Sequence, residues 1–135
     1  MQFGDGTGTI NFDHTDTGYV FAADLSWSGP QGTASINQIA GETILTGDGS
    51  GFDGTTTISG GRLAVNNALG GTINVLAGGE LGGVGNLGAV TANAGGTVAP
   101  GNSIGTLHVA SLTFAPGSLY EVEVDPLGNS DLTQA

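Results

Sequence analysis

Apolar and polar residues alternate in short runs along this chain, and a glycine stands just ahead of many of the runs. The units read Gly8-Thr9-Ile10-Asn11-Phe12, Gly61-Arg62-Leu63-Ala64-Val65, Gly71-Thr72-Ile73-Asn74-Val75 and Gly105-Thr106-Leu107-His108-Val109. Alternation puts every second side chain on one face of an extended strand. A glycine at its head takes corner conformations that other residues reach only with strain. The pattern predicts short, half-buried strands joined by tight corners. Tyr120-Glu121-Val122-Glu123-Val124 alternates in the same way, with its acids on one side and Tyr120, Val122 and Val124 on the other.

The units recur. Gly61, Gly79 and Gly96 are spaced 18 and 17 apart, Gly117 follows 21 later, and the strand centres Ile73, Val90 and Leu107 are 17 apart. Two interleaved series of nearly the same period place at least two strands in each repeat. A repeat this short has room only for strands and corners, and such units stack coil on coil. The expected fold class is all-β, a parallel β-helix (solenoid) of about six or seven coils, roughly 30 Å long at about 4.8 Å per coil. Helical packing is excluded, since each glycine in a helix costs about 1 kcal/mol relative to alanine and the chain has 27 of them. Hairpin signals do not recur as an antiparallel sandwich requires, and glycine does not fall at every third position as in collagen.

The expected inward rows are Leu63, Val65, Ile73, Val75, Val90, Val98, Leu107, Val109, Phe114, Val122 and Val124. Residues 1–135 read as one β-helix segment, with less regular coils and loops over 1–60 and regular coils over 61–135. Residues 47–54, GDGSGFDG, read as a polar loop bulging from the rod, with Phe52 in it. The C-terminal third, around Phe114 and Tyr120, is the expected stability nucleus.

Composition narrows the function. Acidic residues number 12 against a single basic residue, Arg62, and the net charge is −11. This balance speaks against nucleic-acid binding, because phosphates are neutralised by Lys and Arg. Docking to an anionic membrane surface fails for the same reason. With no cysteine, disulfides, thiolate metal sites and cysteine catalysis are all absent. No apolar run is long enough for a transmembrane helix. Met1-Gln2-Phe3-Gly4-Asp5 has neither the charged start nor the apolar run of a signal peptide, so the chain reads as a segment of a longer protein.

Candidate chemistry is sparse. Gly83-Val84-Gly85-Asn86-Leu87-Gly88 fits the dinucleotide fingerprint in letters only, because neither a helix nor a suitably spaced acid follows it; turn glycines explain it. Gly49-Ser50-Gly51-Phe52-Asp53 has part of a calcium-binding repeat, but such sites need stacked copies. Asp13, His14 and Asp16 are ligand-type residues, yet one local cluster with one histidine reads better as a solvated turn. His108 falls on the outward side of its strand. Glu121, Glu123 and Asp125 share a strand face, without a basic partner or an aromatic platform, and read as a solvated face. No catalytic residue, cofactor site or metal site is assigned. Tyr19, Phe21 and Trp27 are the candidate ligand contacts, although aromatics are more often core.

A resemblance adds to this reading. Ala99-Pro100-Gly101-Asn102-Ser103-Ile104-Gly105-Thr106-Leu107, followed by Phe114-Ala115-Pro116-Gly117-Ser118-Leu119-Tyr120-Glu121-Val122-Glu123-Val124-Asp125, resembles the passenger domains of Gram-negative autotransporters. Thr43-Ile44-Leu45-Thr46-Gly47-Asp48, the stretch from Thr55 to Val65 and the stretch from Gly8 to Asp16 look like the same family's β-strand repeats. The resemblance implies a right-handed parallel β-helix at the cell surface or secreted, exported through a C-terminal β-barrel translocator. It implies a structural stalk, of an adhesin, whose coils template the folding of the rest. The alternatives are a binding module whose loops contact a host ligand or glycan, and a β-helix carbohydrate-active enzyme. The expected partners are the translocator, a host-cell or matrix ligand, and a second copy joined end to end through exposed strand edges.

Overall fold

The computed structural model describes residues 2–3, 8–27, 34–101, 106–121 and 132–134, with side chains described over 8–26, 34–101 and 106–121. The described residues form strands and corners with no helix. The strands of successive coils pair in parallel, and one isolated antiparallel bridge joins Gly83 to Gly101. The chain is a β-solenoid.

Each full coil has three sides. On the first side residues 9–12, 35–38, 55–58, 72–75, 89–92 and 111–114 lie rung beside rung. On the second side the rungs are 17–21, 42–45, 62–65, 79–82, 97–100 and 119–120. The third side is narrower and carries 48–49, 68–69, 86–87 and 108–109. Equivalent positions on the first side are Thr9, Ser35, Thr55, Thr72, Ala89 and Ser111. Subtracting successive numbers gives coils of 26, 20, 17, 17 and 22 residues. The described rungs therefore make about five turns, against the six or seven coils expected, and only two coils keep the minimal length of 17 residues.

The unequal coils also correct a register. Val90 pairs with Leu112, not with Leu107, the residue 17 positions later. Leu107 faces inward on the third side instead and is fully buried. The five extra residues of that coil fall between Pro100 and His108, and the phase of the repeat slips there.

The inward rows run the length of the stack. One is Ile10, Ile36, Thr56, Ile73, Val90 and Leu112; the next is Phe12, Gln38, Ile58, Val75, Ala92 and Phe114. The second side contributes Tyr19, Thr43, Leu63, Leu81, Val98 and Tyr120. Leu63, Val65, Ile73, Val75, Val90, Val98, Leu107 and Val109 are all buried in the single apolar cluster. Phe114 departs from expectation: it occupies an inward row yet is 44% exposed. It sits on the last described rung of its row, against Tyr120 at a ring separation of 5.8 Å. Val122 and Val124 lie outside the described residues.

Residues 47–54 do not bulge. Asp48 and Gly49 pair with Ala68 and Leu69, and Phe52 is 1% exposed, among the largest fully buried side chains. The Phe52 N–H donates to the Gly49 carbonyl at 3.0 Å, a tight turn that sends the ring inward. Gly49 brings no side chain to its place in the inward row, and space in a packed interior goes to a neighbouring group. The reading of this stretch as a loop is wrong, because a stretch rich in Gly, Asp and Ser can line a corner and still turn one apolar side chain into the core.

Glycines set how closely the coils stack at one corner. A Cβ on Gly54, Gly71 or Gly88 would overlap the carbonyl oxygen one coil earlier, of Ala34, Gly54 and Gly71 respectively. This column makes glycine obligatory where these three coils turn onto their first side, while Ala34 holds the same place one coil earlier.

Candidate functional site

Two features stand apart from the repeat: an ion-paired ladder on the second side, and a bulged corner in the first coil.

Glu42, Arg62 and Glu80 occupy one outward column on three successive rungs. Arg62, the chain's single basic residue, meets Glu42 at 3.2 Å through Nε and Glu80 through Nη1. Its Nη2 donates to the Gly101 carbonyl at 2.7 Å. Gly82 leaves the room for this, since a Cβ there would overlap the guanidinium. Gly101 is itself bridged to Gly83 by two backbone hydrogen bonds, of 2.7 and 3.1 Å. One side chain thus ties four coils and fixes the corner at which the coil length changes. The sequence holds a signal for this ladder: the three residues are 20 and 18 apart, each one coil from the next.

Arg62→Ala is expected to destabilise the chain by about 1–3 kcal/mol, because it removes hydrogen bonds to charged groups and leaves two acids on one face. Arg62→Lys restores less than half, having no planar fork to serve three acceptors. Urea denaturation checks both. Equal stability of Arg62→Ala and the parent would mean that solvent exposure cancels the ladder.

The bulged corner lies in the strand Thr9–Phe21. Asp13 pairs with Ala40 and Thr17 with Glu42, so four steps here oppose two on the next coil. His14 folds back over the shorter corner. Its Nε2 lies 2.9 Å from the buried Thr43 hydroxyl, and its Nδ1 accepts the Asp16 N–H at 3.2 Å. Gly41 makes this approach possible, because a Cβ there would collide with the imidazole. The His14 ring stands 5.2 Å from Tyr19, and Phe12 packs edge to face on Phe21 at 5.3 Å. Together these residues line an open cavity of about 270 Å³.

Tyr19 is 43% exposed and Phe21 is half-buried, and both border this cavity. The Trp27 side chain lies outside the described residues. Asp13, His14 and Asp16 are brought together, but both nitrogens of His14 are engaged within the protein, which leaves the ring no lone pair for a metal. Among the described residues no three His, Cys, Asp or Glu side chains converge as a metal site. His108 is exposed. Gly83 and Gly85 form a corner between two strands, with no helix to hold a pyrophosphate. Glu121 is exposed, and Glu123 and Asp125 lie outside the described residues.

Near the third side, the Asp24 carboxylate accepts the Asp48 N–H at 2.8 Å, and the Asp48 carboxylate accepts the Ser50 N–H at 2.9 Å. The Ser50 hydroxyl and N–H together hold the Asp48 carboxyl below the usual carboxylate range. A carboxylate whose pKa is depressed on folding adds stability at neutral pH and loses it only as acid protonates it, so this turn is intact above the carboxylate range.

Two curated proteins resemble the chain. An extracellular serine protease of Serratia marcescens is 39% identical over 70% of this chain, and the match takes in 10% of that protein. The adhesin BmaC autotransporter of Brucella suis is 38% identical over 72% of this chain and 3% of its own length. The chain is a β-solenoid segment related to autotransporter passengers. That relationship places it among the secreted or surface-exposed proteins of Gram-negative bacteria. It spans at most a tenth of the relatives it matches. No protein-family model matches the chain.

Proposed function

We propose that this segment is a structural stalk of an autotransporter passenger and carries no catalysis of its own. The observation behind this reading is that two proteins of different activity, a protease and an adhesin, each match about 70% of the chain over small fractions of their own lengths. A segment common to unlike activities is most economically their shared support. Each coil offers a paired edge and an apolar row on which the next coil closes, so folding proceeds by accretion. The intact protein uses a C-terminal β-barrel translocator, and the stalk belongs to an adhesin, the role that the Brucella relative's name gives. Copies of the excised chain associate end to end through the edge strands, more readily at high salt, where the net charge is screened.

Deleting one whole coil tests the stalk reading. Removal of residues 72–88 joins Gly71 to Ala89 and shifts every later row by one rung. A deletion of 72–80 breaks the register instead. The whole-coil deletion is expected to keep surface display and adhesion in the full-length protein, and the partial deletion to lose display. If the whole-coil deletion is displayed normally but loses binding or hydrolysis, the segment is itself the binding or catalytic module.

A further inference from the structure

We infer that the bulged corner of the first coil binds the positively charged head of an organic cation, an alkylammonium carried by a small molecule or by a lysine side chain of a partner.

The cavity is built by a departure from the repeat. The strand carries extra residues between Asp13 and Thr17 relative to the coil beside it, and bulges of this kind re-aim side chains at functional places. The corner is nonetheless fixed, since His14 is held at both nitrogens and seated over Gly41. Its walls are aromatic, from Phe12, Phe21, Tyr19 and the His14 ring. Asp13 and Asp16 stand exposed on its rim, and no hydrogen bond or ion pair engages either carboxylate among the described residues.

This chemistry selects the ligand. Two unpaired carboxylates and a chain charge of −11 repel anions. The one internal cation, Arg62, is held by Glu42 and Glu80 and cannot serve these acids. Aromatic faces attract a desolvated cation through their quadrupoles, and carboxylates at the rim add the Coulomb term. A volume of about 270 Å³ suits a head group and a short alkyl stem. This reading is independent of the stalk proposal, because a stalk needs no ligand.

Choline and the methylamide of Nα-acetyllysine are the probes, with 3,3-dimethylbutan-1-ol as the uncharged isostere of choline. Saturable binding of at least one cation is expected by calorimetry, with NMR shifts at His14 and Tyr19 and weakening as salt rises. A preference between the two cations identifies the source of the head group. Asp16→Asn and Tyr19→Leu should each weaken binding by about tenfold, while Glu121→Gln at the far end leaves it unchanged. Circular dichroism confirms that the variants keep the fold. Equal binding of the uncharged isostere, an absence of saturation, or indifference to Asp16→Asn overturns the proposal. So does loss of binding in the full-length protein, which would make the cavity a seat for neighbouring chain.

Discussion

Phe52→Ala is expected to destabilise the chain more than truncation of any other aromatic among the residues with described side chains, by about 3–5 kcal/mol. Its ring is 1% exposed, while Phe114 and Tyr120 are 44% and 41% exposed. Truncation in the middle of a stack leaves a cavity that coils fixed on both sides cannot close. At a ring already 44% exposed, water enters where the ring was, and Phe114→Ala should cost about 1–2 kcal/mol, near the transfer term alone. The order is the reverse of the one that the alternation pattern suggests. Urea denaturation with both variants decides it, and a Phe114→Ala cost above that of Phe52→Ala would mean that the far end is more tightly packed than its exposure indicates. Hydrogen exchange should place the best-protected amides between residues 35 and 100, where rungs are paired on both sides, and not in the C-terminal third.

Gly71→Ala should be comparably damaging, for a backbone reason. Gly71 has a φ of +73°, which costs a residue with a Cβ about 1–3 kcal/mol. Its Cβ would also overlap the Gly54 carbonyl, at a corner where backbone faces backbone and no side chain can swing aside. Overpacking of that kind adds about 1–3 kcal/mol. Gly78 separates the two effects. It has a φ of +88°, but its Cβ would meet only the Ser59 carbonyl, at 3.3 Å. Gly78→Ala therefore carries the conformational cost with little of the clash. Thermal melts should rank Gly71→Ala well below Gly78→Ala; equal melting temperatures would mean that the corner relaxes and only φ matters.

Both predictions bear on what could be read from the order of residues. Alternation behind each glycine was enough for an all-β solenoid and for most of its inward rows, because side-chain direction in a strand follows from local geometry. Leu63, Val65, Ile73, Val75, Val90 and Val98 are buried for that reason. The same logic misplaces the ends. Phe114 points inward as its parity requires and is still 44% exposed, since parity sets direction and only packing sets burial. Phe52 is hidden among glycines and acids, and only the turn at Gly49 sends it into the core. The register of Val90 with Leu112 was equally out of reach, because corner length is set by how the chain closes in three dimensions and leaves no periodic trace.

The candidate sites divide in the same way. Tyr19, Phe21 and the Asp13, His14, Asp16 group were visible as residue types, but only the pairing of Thr17 with Glu42 reveals the bulge that gathers them around one cavity. The Glu42, Arg62, Glu80 ladder needed the coil lengths before its spacing meant anything. The sequence by itself determined the strand character, the solenoid class, the acidity and the absence of thiols, all of which rest on local pattern or on sums over residues. The tertiary structure alone decided the coil count, which aromatics are buried, and where charges and rings converge, because each depends on register between residues about 17 to 26 apart.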